Sequence, residues 1–513
     1  MLQLGGTNQS ASAPATALRC WYNYPVVIPA VPGGVCARHR RVSKITKLDE
    51  GCPDGRSLLD SSVRVAGRIG GAALDQLKST MEPAGPSSAI TPQRLRKLQS
   101  LGILCGFGAG AWLGAAEAPT KLVTVGISPV VVSLLMVAGV FLARWSVPAL
   151  IRGTGQVGWD LRQAPHLVVW AVLAGCLWAV ANTLTIFAIR DVGLSIAFPL
   201  WNMNSLIGIF WGVTLFNELR RAGARRWLTV LGGAVLMFAG ASLLAYASSS
   251  QTTPQHALRG IIAALAAGVL WGTMYVPYRK AYLTGMNPLS FVAFFTIGEL
   301  VTMSILAVSY SGGVSPLVQQ LSLAKDALFW LMLGGFVWVI GDLFQQYAAK
   351  YVGISRGIPL SNTNQLWGLA WGILVFGELR GRGTSLYGEV IGGSLLMAAG
   401  AGAIALSSVS GKEHGRWSDA AHREGEKYGV SSDYVRAGLA GEESGASVSA
   451  NVGRTWLDWC IVAVATAIFV ALAAAARVPS IAVDWRAIAL LSAVLLVFLA
   501  ACGTALWKAT CFS

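Results

Sequence analysis

The chain has 513 residues, of which 54% are hydrophobic and only 12% are charged, about half the charged share of a soluble protein. So little charge cannot solvate a globule of this length, and the composition therefore predicts a membrane protein with the lipid bilayer as a partner. The net charge of +15 could indicate a nucleic-acid partner. Basic loops and tails on one side of a membrane explain it better, because no basic stripe lies on a soluble domain, so we expect no nucleic acid.

Residues 1–98 are basic and poor in acidic residues. The first acidic residue is Asp49, whereas Arg, Lys, Ser, Ala, Pro and Gly are frequent before it. This bias is typical of an organellar transit peptide, and a disordered tail would show it as well. Because the segment has no compact apolar stretch of the secretory kind, we do not expect a cleaved secretory signal.

Apolar segments of roughly 20 residues, the length of a membrane-spanning helix, follow from residue 100 onwards. Their length and their lack of strict alternation exclude barrel strands. The first ten lie near 100–117, 128–148, 166–189, 193–216, 227–247, 259–278, 289–309, 327–348, 353–376 and 387–407, and two more near 456–476 and 484–507. We therefore predict an all-α membrane protein with ten core helices and two extra C-terminal transmembrane helices.

The ten core spans are two copies of a five-helix unit. Residues 178–220 align with residues 338–380 at a constant offset of 160, with identity at 17 of 43 positions. Glycines and prolines of the other spans correspond at offsets of 158 to 160. An odd number of helices per copy gives the copies opposite orientations in the bilayer. The sequence thus predicts a 5+5 inverted-repeat transporter bundle with its site where the repeats meet.

This repeat sets the domain boundaries. We assign residues 99–250 to the first repeat and residues 251–408 to the second. Residues 409–453, rich in Ser, Gly, Glu and Arg without clear helical periodicity, are interpreted as a polar, solvated linker. Residues 454–513 hold the C-terminal pair, for which packing or anchoring is the simplest role. The eight cysteines have no metal-ligand spacing, so we expect no metal site and no cofactor.

Basic residues in short loops indicate the orientation. Thirteen of them, with Arg144 and Arg279 among the thirteen, fall on the side of residue 98, and six fall on the other side. We therefore expect both ends of the core to face the cytoplasm, or the equivalent compartment of an organelle. The sequence does not distinguish the plasma membrane from a plastid or other organellar membrane.

Carboxyl groups at membrane depth are costly and usually face a polar cavity or a partner. Asp342 in the eighth span has Asn182 as its repeat counterpart, a residue of the same shape that does not titrate. Glu299 in the seventh span has the apolar Val140 as counterpart. Because both acids occur in one copy only, we interpret them as coupling groups that bind a proton or cation. In the alternative, they only hydrogen-bond neighbouring helices.

Matched asparagines follow a proline in the fourth and the ninth span. Proline withholds an amide hydrogen and disturbs the helix, which frees backbone carbonyls. Amide side chains donate and accept at once, as sugar hydroxyls do, so they suit a small neutral sugar. The candidate substrate-binding amides are Asn202, Asn204, Asn362, Asn364, Gln365, Asn182 and Gln345. In the alternative, these amides join helices to one another.

Tryptophans add a second kind of candidate. An aromatic face can stack on the apolar face of a sugar ring, although tryptophan is also common at membrane interfaces. We select Trp112, Trp271, Trp201 and Trp367 as site candidates. Trp178 and Trp338, which correspond in the repeat, are expected to pack between helices.

The two copies resemble the drug/metabolite transporter superfamily, and within it the glucose/ribose porter and rhamnose-type sugar uptake branch. The features that carry the resemblance are the five-plus-five arrangement, Trp271-Gly272, the Phe-x-Glu-Leu ends at Phe216 and Phe376, and the segments 192–202 and 352–362. The resemblance covers about residues 100–407. It implies a secondary carrier of monosaccharides that works by alternating access and is coupled to protons.

Two alternatives stay open. An exchanger of nucleotide sugars, sugar phosphates or other metabolites on the same scaffold would need a cation at membrane depth, and Arg190, Lys350 and Arg356 lie near helix ends. A non-transporting membrane scaffold or sensor would have no need of matched asparagines. An enzyme is not expected, because no nucleophile with a partnered base appears.

Overall fold

The computed structural model describes residues 91–116, 118–119, 127–192, 197, 200–220, 223–247, 257–377, 383–407, 409–442, 454–477 and 483–512. Every regular element within these ranges is a helix. In chain order they are α1 (Pro92–Ala115), α2 (Pro129–Ile151), α3 (Gly155–Gln163), α4 (His166–Val192), α5 (Asn204–Phe216), α6 (Ala224–Ala247), α7 (Ala257–Leu283), α8 (Pro288–Ser311), α9 (Val314–Leu323), α10 (Leu328–Val352), α11 (Ile354–Ser361), α12 (Asn364–Leu374), α13 (Thr384–Leu406), α14 (Gly411–Lys427), α15 (Ser432–Ala440), α16 (Trp456–Ala475) and α17 (Trp485–Thr510). A short 3-10 helix, Lys325–Ala327, precedes α10.

Ten of the described helices are long and apolar enough to cross a membrane. Eight of them correspond to predicted core spans, and the other two are the C-terminal pair α16 and α17. The prediction of an all-α, multi-pass membrane protein is therefore confirmed. We call α1 to α6 the first half and α7 to α13 the second half; their opposite orientation in the bilayer stays a prediction.

The first helix begins earlier than the sequence indicated. The predicted N-terminal region, 1–98, lies mostly outside the described residues, but α1 already starts at Pro92. Thr91 caps the helix by accepting from the backbone N–H of Arg94 at 3.3 Å, and proline suits the first helical position. Leu95 and Leu98 are buried within the following turns. The boundary at residue 99 is therefore wrong, because the cap and these leucines extend the helix through a polar stretch.

The fourth and the ninth span are broken, although the sequence predicted them as continuous helices over 193–216 and 353–376. The ninth span consists of α11 and α12, with Asn362 and Thr363 between them. At the break the N–H of Thr363 donates to the carbonyl of Leu360 at 3.3 Å, three residues away instead of four, so the helix tightens before it restarts. In the fourth span, α5 begins only at Asn204. The breaks place both asparagine pairs at interruptions in the middle of the bundle.

Glycines allow the two halves to approach at equivalent crossings. A Cβ atom on Gly139 of α2 would overlap the backbone of α10, and one on Gly335 of α10 would overlap the backbone of α2. The crossing of α4 and α8 uses Gly175 and Gly298 in the same reciprocal way. Gly139 corresponds to Gly298 (298 − 139 = 159), and Gly175 corresponds to Gly335 (335 − 175 = 160). The two crossings are therefore duplicates of one another.

In the crossing of α6 and α13, the two helices are repeat counterparts of each other. Gly240 meets the backbone of Gly393, and Gly233 meets the backbone of Gly400. The offset of 160 converts Gly240 into Gly400 and Gly233 into Gly393, so exchanging the halves reproduces the same contact. A two-fold relation between the halves would produce this pattern, which supports the internal duplication.

Residues 411–427 and 432–440 form the helices α14 and α15, where the sequence predicted a solvated linker over 409–453; residues 443–453 lie outside the described residues. Ser410 caps α14 by accepting from the N–H of Glu413 at 3.2 Å. Trp417, Ala421 and Gly425, spaced four residues apart, are buried along one face. Because only one of these three residues is strongly hydrophobic, the sequence did not reveal the helical period.

The C-terminal pair packs against helices of both halves. Helix α16 contacts α2 and α10, and α17 contacts α1 and α12. At the end of α17 the carbonyl of Phe512 accepts from the Asn287 amide at 2.7 Å and from the Tyr347 hydroxyl at 2.9 Å. These bonds fix the pair to the core, in agreement with a packing role.

Gly139→Val and Gly298→Val should each lower the free energy of unfolding by about 1–3 kcal/mol, because an added side chain overlaps the backbone of the facing helix. Gly232→Val serves as control, since Gly232 is exposed on α6 and nothing lies within 4 Å of its Cβ position. Thermal unfolding in detergent, monitored by size-exclusion chromatography, measures the change in stability. Equal unfolding midpoints for the three variants would contradict the close crossings.

Candidate functional site

A cavity of about 510 Å³ lies between the two halves. It extends from the middle of the bundle toward the end where α1 finishes and α2 begins, because Leu113 and Pro129 belong to its wall. Its polar wall residues are Ser133, Asn182, Thr185, Asn202, Asn204, Tyr275, Gln345, Asn362 and Asn364. Six of the seven predicted amides are in this wall, and none of the described residues that line the cavity is charged.

The cavity wall follows the internal repeat. Thr185 and Gln345 are counterparts at the offset of 160, and both are in the wall. The same holds for the matched asparagines. Asn182 is one exception, because its counterpart Asp342 lies outside the wall, and Ser133 and Trp201 are others. The halves therefore share several matched positions in the wall, while the remaining wall residues come from one half only.

Asn362 joins the two broken helices. Its amide nitrogen donates to the Asn204 amide oxygen at 2.9 Å and to the Ser205 hydroxyl at 2.6 Å. Asn204 is the first residue of α5, and Asn362 lies just before α12. Asn204 and Asn362 thus combine the two roles considered from the sequence, since they connect helices and also line the cavity.

Two further amides are positioned by neighbouring hydroxyl groups. The Asn182 amide donates to Ser133, which connects α4 to α2. The Gln345 amide donates to Ser361 at 2.5 Å, which connects α10 to the end of α11. Each amide uses its nitrogen in this way. Its oxygen is the group that could accept a hydrogen bond from a ligand hydroxyl.

Two polar atoms of the cavity residues have no partner among the described residues. They are the amide oxygen of Asn364 and the indole nitrogen of Trp271. An unsatisfied buried donor or acceptor costs about 1–3 kcal/mol. A ligand that pairs with one of them, after a small rotation of the side chain, would recover part of that free energy.

Tryptophan rings form two walls of the cavity. Trp201 and Trp271 meet edge to face with centroids 6.0 Å apart, and Trp178 and Trp338 do so at 5.2 Å. The structure therefore brings Trp201 and Trp271 to the cavity. It also places Trp178 and Trp338 there, although the sequence analysis assigned them to packing alone.

Three candidates do not reach the cavity. Trp112 donates its indole N–H to the carbonyl of Leu495 at 3.2 Å and faces a separate apolar cavity of about 330 Å³ beside α17. Trp367 packs edge to face on Phe498 at 5.6 Å. Gln365 is buried outside the cavity wall. The first two are corrections with a common cause, because α17 covers this side of α1 and α12.

Glu299 and Asp342 share one cation, Arg144. The guanidinium contacts the Glu299 carboxyl group at 3.1 Å and the Asp342 carboxyl group at 2.8 Å, and all three side chains are buried. The Gln346 amide donates to Asp342 at 3.0 Å. This set, which we call the charge triad, crosses both halves, since α2 supplies the cation and α8 and α10 supply the acids.

Arg144 is not a loop residue, contrary to the prediction from the sequence. Arg144 lies inside α2 and is fully buried. A signal was present, because Arg144 follows Val140, the repeat counterpart of Glu299, by one helical turn. The contacts of the triad also show that both acids have a charged partner, which neither of the two sequence interpretations included.

Trp338 connects the charge triad to the cavity. Its ring lies 5.1 Å from the Arg144 guanidinium carbon and is also part of the cavity wall. The triad itself lies outside the wall. A ligand in the cavity and a charge in the triad can therefore act on each other through this one ring.

A polar network closes the opposite end of the bundle. Glu218, which follows α5, pairs with Arg279 at 2.9 Å and accepts from the N–H groups of Ile354 and Ser355 at 3.2 and 2.9 Å. It thereby caps α11, as a carboxylate at a helix N-terminus does. Arg279, counted among the loop residues from the sequence, is buried in this network.

Comparison with known proteins identifies transporters on both sides of the repeat boundary. Residues 157–247 match the family "Sugar transport protein", and residues 258–400 match the "EamA-like transporter family". The chain is therefore a membrane transporter and not an enzyme.

Two bacterial relatives, each named "Putative sugar uptake protein", align over 235 residues, which is 44% of this chain and 75% of each relative. The protein of Listeria innocua is 26% identical, and that of Listeria monocytogenes is 25% identical. A solved crystal structure aligns over 60% of this chain and 98% of its own chain, at 18% sequence identity. Its TM-score of 0.40 is too low to establish a shared fold.

Arg144→Met should lower the free energy of unfolding by about 3–5 kcal/mol, because it leaves two buried carboxyl groups without their cation. The triple variant Arg144→Met/Glu299→Gln/Asp342→Asn should regain most of this loss. Arg162→Met, at an exposed position of α3, is the control. Thermal unfolding in detergent gives the unfolding midpoint of each variant. A midpoint of Arg144→Met equal to that of the wild-type protein would refute the ion pairs.

Proposed function

We propose that this chain, a membrane transporter of the drug/metabolite transporter superfamily, carries a small neutral sugar across the bilayer by alternating access. The observation that carries the proposal is the cavity between the halves, walled by six amides and four tryptophans and without a charged lining residue among those described. The named role of the two relatives, sugar uptake, agrees with it.

The chemistry of the wall favours a neutral polyhydroxyl ligand. Each amide offers a donor and an acceptor, and a sugar hydroxyl needs both. The rings of the four tryptophans in the wall, Trp178, Trp201, Trp271 and Trp338, suit the apolar C–H surface of a sugar ring. A volume of about 510 Å³ is within the range of pockets that hold small molecules.

Alternating access is supported by the difference between the two ends of the bundle. The cavity extends toward one end, whereas Glu218 and Arg279 close the other end through buried contacts. Glu218 belongs to the first half, and Arg279 belongs to the second half. Motion of one half against the other would break this closure and expose the same cavity on the opposite side.

The charge triad supports proton coupling. Two ionised carboxyl groups against one guanidinium would leave the triad with a net negative charge at a fully buried position, where a charge is costly. One bound proton makes the triad neutral. Arg144 holds the triad across both halves, so binding or loss of that proton changes an interaction that rocking of the halves must rearrange.

The alternative of an anionic substrate is less well supported. Arg356, which kept that alternative open, pairs with Glu413 at 3.1 Å and donates to the carbonyl of Ser407 at 2.8 Å, both away from the cavity wall. Lys350 is also outside the wall. A scaffold without transport activity would not need a cavity walled by paired amides.

Uptake of a labelled sugar panel into proteoliposomes tests the substrate class. Neutral monosaccharides should enter, and Asn362→Ala and Asn202→Ala should each raise the half-saturating concentration by about tenfold, as loss of one or two hydrogen bonds would. Gln319→Ala, exposed on α9, is the matched control. Exchange of sugar phosphates or nucleotide sugars without uptake of neutral sugars would overturn the proposal.

A pH gradient across the same proteoliposomes tests coupling. Asp342→Asn and Glu299→Gln should abolish accumulation driven by the gradient and retain exchange of labelled for unlabelled sugar, because the cavity is intact and only the proton site is lost. Asp326→Asn, which removes a surface acid that pairs with Arg477, should accumulate sugar as wild type does. If both triad variants accumulate sugar normally, the triad is not the coupling site.

A further inference from the structure

The segment of residues 411–440, which we call the strap, packs across the closed end of the bundle. It comprises α14 and α15, and it lies beyond the residues that either family match covers. Glu413, Trp417 and Tyr434 of the strap are almost fully buried, with 1%, 2% and 3% of their surface exposed. Such burial is far more than an unstructured connection between spans requires.

The strap holds the second half through charged and aromatic contacts. Glu413 pairs with Arg356 at the start of α11, with distances of 3.1 and 3.2 Å between the two guanidinium nitrogens and the two carboxylate oxygens. The ring of Trp417 lies 4.1 Å from the Arg279 guanidinium carbon. Lys280 of α7 pairs with Glu424 at 2.7 Å.

The same segment also holds the first half. Glu413 accepts from the backbone N–H of Leu219 at 2.9 Å, and Arg416 donates to the carbonyl of Arg220 at 2.6 Å. The Tyr434 hydroxyl donates to Asp160 of α3 at 2.9 Å, and Arg94 of α1 donates to the carbonyl of residue 440 at 3.1 Å. The single residue Glu413 therefore contacts both halves, since it binds Arg356 of the second half and the end of the fourth span of the first half.

We propose that the strap is the clamp of the gate at the closed end of the bundle, and that transport requires it to release the end of the fourth span, Leu219 and Arg220. This inference rests on the alternating-access function proposed above. It adds that a segment outside the repeated core controls access to one side. The Glu218 closure lies directly beneath, because Glu218 and Leu219 are neighbours and Trp417 covers the Arg279 that pairs with Glu218.

The chain itself indicates which contacts must break. Residue 406 ends α13 and residue 411 begins α14, so a short connection ties the strap to the second half. When the halves separate at this end, the strap therefore stays with Arg356, Arg279 and Lys280. The contacts to Arg94, Asp160, Leu219 and Arg220 are among those that open.

Two reversible cross-links distinguish these sets of contacts. Arg220→Cys/Arg416→Cys allows a link from the strap to the first half, and Lys280→Cys/Glu424→Cys allows a link to the second half. In both pairs a long side chain bridges the two positions, so the cysteines are joined by a bis-methanethiosulfonate reagent of matching length, whose bonds reduction cleaves. Sugar exchange by proteoliposomes is measured after cross-linking and again after reduction, with wild type and each single cysteine variant as controls for the native cysteines.

Cross-linking of the Arg220→Cys/Arg416→Cys variant should lower exchange by at least about tenfold, because the population open at this end is lost, and reduction should restore it. The cross-linked Lys280→Cys/Glu424→Cys variant should keep its activity to within about twofold, because that link lies within one half. Gel mobility after proteolysis between the two cysteines verifies each link. Recovery on reduction shows that the protein is folded.

Unchanged exchange in the linked Arg220→Cys/Arg416→Cys variant overturns the clamp. Equal loss in both linked variants overturns it too, since a general effect of cross-linking would then explain the result. Binding of sugar to the cross-linked protein, monitored by tryptophan fluorescence, separates this inference from the proposed function. A linked protein that binds sugar without exchanging it supports the clamp, whereas a reduced protein that neither binds nor exchanges sugar refutes the sugar-carrier proposal itself.

Discussion

A polar group at the depth of the bilayer must find its partner inside the protein, because lipid offers none. This constraint shapes each functional part of the molecule. Arg144 satisfies Glu299 and Asp342, Asn362 satisfies Asn204, and each of these pairings joins one half to the other. The interactions that hold the halves together are therefore also the ones that any relative motion has to exchange for others.

Most of the architecture was accessible from the sequence because its signals are periodic or repeated. Spanning length and apolar composition predicted the long helices, and the offset of 160 predicted which residues would be equivalent. The matched asparagines could be found for the same reason, because both copies carry them at equivalent positions and the two copies pack against each other there. The transporter class followed from these features and is confirmed by the two family matches.

What the sequence did not reveal depends on contacts between distant residues. Arg144 looked like a loop cation until its position opposite two acids was known. Helix α14 of the strap escaped notice because its buried face contains a single large apolar residue, Trp417. Trp112 and Trp367 were selected as site residues because they are tryptophans. In the structure they pack against α17, a helix that is distant in sequence. In each case the decisive partner lies outside the local pattern.

The position of α17 has a consequence for the energetics of the two end states. Trp271 faces the cavity, whereas Trp112, its near counterpart in the first copy, is held by Leu495 beneath α17. In a bare duplicated carrier the inward form would arise when each half adopts the conformation of the other, and the two forms would be equal in energy by symmetry. Here the acids Glu299 and Asp342 occur in one copy only, and α17 covers Trp112 but not Trp271. No symmetry then equates the two forms, because the halves differ in sequence and in what packs on them.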